Sequence, residues 1–314
     1  MSQPLVSIIC ICHNHAEYVQ EALESVRHQS YGNIQLIAVD DGSSDGSQEI
    51  LRKWQVQHSS LELLLLPKNI GYCAAFNKGY RLAQGEFIID LSADDLLMID
   101  RVKMGVKALT SSEAGVNFCD AHYIDSKSRL IRSHFHRDKL GKLLQPVPDG
   151  DIYRELLRRY FICAPTMMIK NEVLQALGGY DESLYYEDFD FWVRSSRNYL
   201  YSFTDQVLVK KRILPNSMSK SQYTPYSPML ESTARVCDKA YQLNQTWAEH
   251  LALAERVRYE LRQAVICNQY ETAARLHHLL GKINGDSWEY KLWKWILARR
   301  WNLSFVSRFI EKPR

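Results

Sequence analysis

Hydrophobic and polar positions alternate in blocks along the first third of the chain. Residues 5–12 (LVSIICIC) form an apolar run of strand length, and residues 16–29 then carry apolar positions at helical spacing through Tyr18, Ala22 and Val26. A second apolar run, 34–39, stops at Asp40-Asp41-Gly42, and Ser43 to Asp45 read as the cap of a helix reaching about Val56. The pattern repeats with a strand over 61–66 closed by Pro67, a helix over 71–82, a strand over 87–91 and a helix over 96–109. Strands alternating with helices at this rhythm need right-handed crossovers, so the pattern predicts an α/β fold on a mostly parallel sheet flanked by helices.

Past residue 115 the rhythm changes. Residues 116–123 and 129–135 read as strands joined by a turn, and Pro146-Val147-Pro148-Asp149-Gly150 marks a surface loop. Residues 166–169 suggest a short strand, and Gly178-Gly179-Tyr180-Asp181 breaks the chain. Beyond Pro228 the pattern is almost wholly helical, with its main interruption expected from Gly281 to Asp286. Ser, Tyr and Pro gather between 220 and 228, which sets the expected division: a catalytic domain over 1–222 and a C-terminal helical region over 223–314.

Three acidic clusters stand out on this frame. Asp40-Asp41 and Asp94-Asp95 each follow a strand, and Glu187-Asp188 precedes an aromatic helix. Carboxylates crowded at strand ends repel one another unless a cation or a proton-bearing ligand sits among them. Open α/β sheets bind ligands at the carboxyl ends of their strands, where both Asp pairs fall. The clusters point to a site for a metal and an anionic substrate. Each residue also has a plainer use: Asp41 in an Asx turn, Asp94 and Asp95 as helix caps, Asp190 as the start of a surface helix.

Bulk composition narrows the setting. A hydrophobic fraction of 46% and a charged fraction of 24% suit an ordinary globular protein. The 7 cysteines form no CxxC pair, so they are expected reduced, as in the cytoplasm. The N-terminus lacks a charged n-region before its apolar run, and no stretch nears the roughly 20 apolar residues that cross a bilayer. Residues 288–314 hold seven Lys or Arg against Glu289 and Glu311, a net +5, which leaves −2 on the rest of a chain whose total is +3. With such local charge no nucleic-acid partner is expected. The absence of a zinc-spaced Cys/His cluster, of GxGxxG after a strand and of GxxxxGK[ST] argues against a zinc site, a dinucleotide oxidoreductase and a P-loop enzyme.

Four segments, taken in order, carry a resemblance. PLVSIICICHNHAEYVQEALESVRHQSYGNIQLIAVDDGSSDGS resembles the opening of a family 2 glycosyltransferase with the GT-A fold, and NIGYCAAFNKG, GEFIIDLSADD and GGYDESLYYEDFDFWVR follow at the family's spacing. The resemblance spans about 4–219 and leaves the C-terminal helices uncovered. It implies a metal-dependent, inverting transferase that moves a hexosyl or N-acetylhexosaminyl group. The donor would be a nucleotide-diphosphate sugar, a UDP-sugar above others, and the acceptor a hydroxyl of a glycan or lipid-linked saccharide in bacterial surface-polysaccharide assembly.

The same resemblance assigns roles. Asp41 would read the nucleotide base and His13 would lie against it, while Asn69, Gly71 and Asn77 would belong to the nucleotide-binding segment. Ser92-Ala93-Asp94-Asp95 occupies the place of the family's Asp-x-Asp element, with Ser92 where the first Asp is usual. Asp94 and Asp95 would therefore hold Mg²⁺ or Mn²⁺ on the diphosphate, Asp94 also touching ribose, because hard cations take oxygen ligands. Asp188 would be the general base, flanked by Glu187, and Arg212 with Ser217 to Ser219 would fall in a basic loop over the diphosphate or acceptor. Two rivals stay open: a sugar nucleotidyltransferase of related fold, disfavoured by Cys12-His13-Asn14-His15 in place of a Gly-rich basic loop, and a non-catalytic nucleotide-sugar-binding protein.

On a helical wheel Trp288, Leu292, Trp295, Ile296, Leu303, Val306 and Ile310 share one side, with Lys291, Lys294, Arg300 and Arg308 elsewhere. Trp beside cations suits the surface of an anionic membrane. Packing on the catalytic domain or an oligomer contact through the C-terminal helices are the alternatives.

Overall fold

The computed structural model describes residues 3–215, 217 and 221–300. In chain order the elements are β1 (Val6–Cys12), α1 (Val19–Arg27), β2 (Ile34–Asp40), α2 (Ser47–Gln57), β3 (Glu62–Leu65), α3 (Tyr72–Tyr80), β4 (Phe87–Ser92), β5 (Leu96–Leu97) and α4 (Arg101–Thr110). They continue with β6 (Val116–Ile124), β7 (Leu130–Ser133), α5 (Tyr153–Arg158), a 3₁₀ turn (Ala164–Thr166), β8 (Met168–Lys170), α6 (Asn171–Leu177), α7 (Asp188–Ser196) and β9 (Tyr201–Arg212). The last four helices are α8 (Pro228–Leu243), α9 (Trp247–Ile266), α10 (Tyr270–Asn284) and α11 (Trp288–Ala298).

The strands form one sheet in the order β3-β2-β1-β4-β8-β6-β9-β5, with β7 paired to β6. The four strands of the first alternating blocks run parallel, as does the pair β6 and β9, while β8, β5 and β7 join antiparallel. Every residue of β1 is buried, which explains why its sequence shows a continuous apolar run and no alternation. Helix α1 covers the sheet with Val19, Ala22, Leu23 and Val26, one stripe at i, i+3, i+4 and i+7.

Several expected elements change. The helix expected over 96–109 begins only at Arg101, because Leu96 and Leu97 pair in the sheet with Lys210 and Val209 of β9. A run of apolar residues fits either structure, and the ladder partner decides. Of the strand expected over 166–169, the first residue closes a 3₁₀ turn and the strand is Met168–Lys170. The interruption expected from Gly281 to Asp286 falls at 285–287, since α10 runs on to Asn284. At Gly281, inside α10, a Cβ would meet the Tyr290 ring at 2.9 Å, so glycine admits α11 against α10.

The chain divides into two compact units. The first comprises residues 1–152, 161–183 and 198–214 and contains the whole sheet. The second comprises residues 153–160, 184–197 and those from 215 onward, thus α5, α7 and α8 to α11. Its core packs Tyr153, Leu157, Leu184, Tyr186, Phe189 and Val193 with apolar residues of α8, α9 and α10. Two segments that the sequence pattern groups with residues 1–222 therefore share a core with the C-terminal helices.

Candidate active site

In the sheet unit, the carboxyl ends of β1, β2 and β4 carry three linked loops. Asp40 closes β2, wholly buried, and its Oδ1 accepts the N–H of Ser43 at 2.9 Å and the side-chain amide of Gln48 at 2.8 Å. It shapes the turn into α2. Asp41 serves the next loop: Oδ1 accepts from the Ile70 N–H at 2.7 Å and Oδ2 from the Gly71 N–H at 3.0 Å. Charged acceptors bind backbone N–H groups strongly, and here the carboxylate sets the start of α3.

His13 sits on the same network. Its Nδ1 donates to the Asp41 carbonyl at 2.8 Å, which fixes Nε2 as the acceptor for Asn69 Nδ2 at 3.0 Å. Asn69 Oδ1 also takes the Gly71 N–H at 2.9 Å. Gly71 has φ +91° and nothing within 4 Å of a would-be Cβ, so its backbone lies against open space. The structure thus brings His13, Asp41, Asn69 and Gly71 together. Asn77 stands apart: its amide bonds the backbone of Tyr180 at 2.8 and 3.0 Å and Glu182 Oε1 at 3.0 Å, stapling α3 to the glycine turn.

Asp94 and Asp95 lie in the turn after β4. The Asp95 N–H bonds the Ser92 carbonyl at 3.0 Å, and Ser92 Oγ bonds Asp94 Oδ1 at 2.5 Å. Ser92, standing where the family's first aspartate is usual, orients its neighbour. Asp95 is 3% exposed and accepts the Arg212 N–H on Oδ1 at 2.8 Å. Burial first, then the adjacent Asp94 charge, push its carboxyl well above the usual range. The helix-cap alternative does not apply here, since α4 starts six residues after Asp95 and is preceded by Asp100.

Arg212 is 1% exposed and makes four side-chain hydrogen bonds among the described residues. Its guanidinium donates to the Asp94 carbonyl at 2.9 Å, the Asp125 carbonyl at 3.0 Å, Ser128 Oγ at 3.0 Å and Glu21 Oε2 at 2.7 Å, and it lies 4.6 Å over the Tyr18 ring. In this arrangement it braces the Asp94-Asp95 turn. Arg212, expected in a basic loop with Ser217 to Ser219, instead closes β9, because its backbone pairs with Ile124 and its side chain is taken up by the turn. Of the other loop residues Ser217 is described, while Met218 and Ser219 lie outside the described residues.

Among the described residues no three His, Cys, Asp or Glu side chains gather as a metal centre. Two adjacent carboxylates still suit a hard cation on a diphosphate, because such a cation takes one or two protein carboxylates and fills its shell from phosphate and water. The like-charge pressure on Asp95 is the kind that a cation relieves.

In the helical unit, Glu187 and Asp188 begin α7. Asp188 Oδ1 is buried and has no hydrogen-bond partner among the described residues. Asp190 is 1% exposed, bonded by Arg194 Nε at 2.6 Å and Lys239 Nζ at 2.5 Å. It is therefore a buried anchor, not the surface residue of the alternative reading.

Sequence reasoning missed the seam between the first two loops. Asn14, at φ 57°, accepts the Ser44 N–H at 2.9 Å and gives its own N–H to Ser43 Oγ at 2.9 Å, while Asp45 Oδ2 takes the Ala16 N–H at 2.9 Å. The polar run after β2 was the available signal. It missed Asp90 too, which binds the hydroxyls of Tyr72 at 2.8 Å and Tyr180 at 3.0 Å.

Residues 7–178 match the model of glycosyl transferase family 2. An uncharacterized glycosyltransferase of Methanocaldococcus jannaschii is 28% identical over 221 residues, 69% of this chain and 73% of that protein. A Bacillus subtilis glycosyltransferase named for teichuronic acid biosynthesis is 25% identical over 54% of this chain, and the match spans 64% of its own length, under two thirds. Among solved structures, Staphylococcus aureus TarS 1–349 in complex with UDP-GlcNAc superposes with TM-score 0.65 at 17% identity, over 94% of this chain and 92% of that one. The mannosyltransferase PcManGT of Pyrobaculum calidifontis, solved with GDP-Man and Mn²⁺, gives TM-score 0.58 at 18% identity over 99% and 89%. The last two similarities concern the fold, which is GT-A. With more than half of its length matched to the family, this chain belongs to glycosyl transferase family 2 and is a glycosyltransferase.

Proposed function

We propose that the protein transfers a sugar, with inversion, from a nucleotide-diphosphate sugar, foremost a UDP-sugar, to a hydroxyl of a glycan or lipid-linked saccharide. The observation that carries this reading is the loop cluster at the carboxyl ends of β2, β1 and β4, where Asp41 tethers the Asn69 to Gly71 loop and Asp94-Asp95 ends the neighbouring strand. Asp41, His13, Asn69 and Gly71 form the base and ribose end of the donor pocket. Asp94 and Asp95 face the diphosphate. Mg²⁺ or Mn²⁺ held by these two carboxylates would neutralise charge on the leaving diphosphate.

Asp188 takes the acceptor proton. As the acceptor oxygen bonds to the anomeric carbon, the bond from that carbon to the diphosphate oxygen breaks and the nucleoside diphosphate leaves. The hydroxyl proton passes to the Asp188 carboxylate, whose buried Oδ1 lacks a competing donor among the described residues. Glu187 flanks it. Arg212 acts through the Asp94-Asp95 turn, its donors being taken by protein acceptors.

The name of the B. subtilis relative supports a setting in surface-polysaccharide assembly. Among the described residues no helix is long and apolar enough to cross a membrane. Contact with a membrane surface is read from α11, whose Trp288, Leu292 and Trp295 are exposed. Residues 301–314, the rest of the basic tail, lie outside the described residues.

Thermal denaturation tests the donor half: Mn²⁺ with UDP should raise Tm, and Asp95→Ala should remove the rise. A panel of nucleotide sugars, scored by nucleotide release, tests the transfer. If no nucleotide shifts Tm and no donor is consumed, the transferase reading fails.

A further inference from the structure

We infer that α8, which lies beyond the segment matched to the family, is the element that positions Asp188, with Lys239 as its principal positioning residue. The inference rests on the assignment of Asp188 as base. Helix α8 holds the chain around Asp188 on both sides. Before it, the backbone N–H of Tyr185 donates to Ser232 Oγ at 2.9 Å and the Tyr186 hydroxyl lies 2.6 Å from Thr233 Oγ1. After it, Lys239 Nζ reaches Asp190 Oδ1 at 2.5 Å, while Asp190 Oδ2 takes Arg194 Nε from the next turn of α7.

The chemistry explains why this grip acts on direction as well as stability. Asp190 is buried between both cations, and breaking a buried pair by removing one partner leaves an uncompensated charge. Asp190 and Asp188 are two residues apart on the first turn of α7, pointing to different sides of the helix. A rotation of α7 that lets Asp190 seek water therefore swings Asp188 with it. Phe189 and Val193, both fully buried in the core of the helical unit, hold the apolar side of α7, and Lys239 holds its Asp190 side. Asp188 itself makes no restraining bond through Oδ1 among the described residues, so its aim depends on this surrounding hold. A base must sit within hydrogen-bond reach of the proton it takes, and small misplacements cost large factors in rate.

The test uses the full-length chain with Lys239→Met, Lys239→Arg and the double variant Ser232→Ala/Thr233→Val. Amide hydrogen exchange read by mass spectrometry should quicken at least tenfold over residues 185–190 in Lys239→Met and stay unchanged over the Asp41 and Gly71 loops. Lys239→Arg should restore slow exchange. With whichever nucleotide sugar releases nucleotide fastest, Lys239→Met should lower kcat at least tenfold at unchanged donor KM, again rescued by Arg. Unaltered exchange in Lys239→Met, or a rate loss that Arg does not rescue, overturns the inference. If Lys239→Met fails to fold, the Ser232/Thr233 pair carries the same expectation and the same refutation. Asp188→Asn separates the two assignments: full activity there removes Asp188 as the base, whereas an inactive Asp188→Asn beside a fully active Lys239→Met removes only the role of α8.

Discussion

The Gly71 N–H lies within reach of two acceptors, Asp41 Oδ2 at 3.0 Å and Asn69 Oδ1 at 2.9 Å, and this sharing holds φ at +91°. Two glycines of this loop pair need their φ for different reasons. At Gly71 (φ 91°, ψ 152°) an alanine meets open space but must adopt a backbone region that is essentially glycine's own, so Gly71→Ala should cost about 2 kcal/mol. At Gly42 (φ +68°) the added Cβ would also press on the Lys68 backbone carbon at 2.3 Å, and backbone cannot swing aside. Gly42→Ala should therefore cost clearly more, about 3 kcal/mol or above, and urea unfolding of the two variants compares them directly. Equal losses would contradict the packed-loop account.

Arg212 tests two uses of one residue. As a brace its loss is structural, and Arg212→Lys, which keeps the charge but not the fork, should lower stability by about 3 kcal/mol. Asp95 is held by the Arg212 backbone N–H, which lysine retains, so UDP affinity should change less than threefold. A large affinity loss at unchanged Tm would return Arg212 to the diphosphate.

His134 gives the sheet unit a pH response. Nε2 donates to the Phe161 carbonyl at 2.8 Å, and in the neutral ring Nδ1 then accepts from the Tyr123 hydroxyl at 2.7 Å. Burial pushes its pKa below the ordinary histidine value against the Phe161 hydrogen bond and the Asp120 charge, which raise it, while Lys211 and Arg132 lower it less strongly. A folded pKa below the unfolded one makes the unfolded chain the stronger proton binder. This contribution is complete above about pH 6.5 and is lost as pH falls toward the folded value. The urea midpoint should drop between pH 7 and 5, and His134→Gln should flatten that drop.

At the scale of elements, the parallel strands were legible because their apolar runs have strand length and end in chemistry: β2 at Asp40, β4 just before Asp94-Asp95. Strand β5 was not, since two leucines cannot reveal whether a ladder or a helix will take them. Strand β9 was hidden too, its last residue Arg212 being expected in a basic loop. Its twelve residues pair parallel to β6 across two register shifts, and no local pattern encodes a partner some 85 positions away. That strand delivers Arg212 to the Asp94-Asp95 turn, so the long-range half of the candidate site was hidden while the local half was visible. The locations of Asp41, Asn69 and Gly71 beside one another followed from motif order, but the roles of Asn77 and Asp190 as staples depend on partners at Tyr180 and Lys239 that spacing does not name.

Helix α7 shows the same limit, with a consequence for engineering. Its Phe189 and Val193, with Tyr153 and Leu157 of α5 and Leu184 and Tyr186 between the elements, pack against α8, α9 and α10. Amphipathic stripes announce that a face is buried without saying against what. A chain ending at 222 retains every family motif and loses that cover. Six large side chains then lose burial worth roughly 1.5 to 3 kcal/mol each, about the whole stability of a domain. Expression of 1–222 should give aggregated protein, and a soluble product with a cooperative thermal transition would show that the helices are dispensable.

For the molecule as a whole, charge is the property that sequence displays best: a body at −2 and a tail at +5. The described part of that tail gives the charge a surface. On α11, Trp288 is 76% exposed and Leu292 and Trp295 are each 42% exposed, spaced at i, i+4 and i+7, with Lys291 and Lys294 also exposed and Ile296 buried on the inner side. Indole rings favour the headgroup region of a bilayer, and each Lys or Arg near an anionic surface adds about 1 kcal/mol. Both contributions are needed, because a helix this short has too little apolar area to bind alone. Full-length protein should therefore sediment with vesicles containing phosphatidylglycerol and stay free of purely zwitterionic ones. Raising salt from 0.1 to about 0.5 M, which shortens the screening length to roughly 4 Å, should release most of it. Trp288→Ala/Trp295→Ala should weaken binding at least tenfold at low salt, while Lys291→Gln/Lys294→Gln should weaken it and flatten the salt dependence. A double tryptophan variant that binds like the parent would leave charge alone as the cause and remove α11 from the membrane contact.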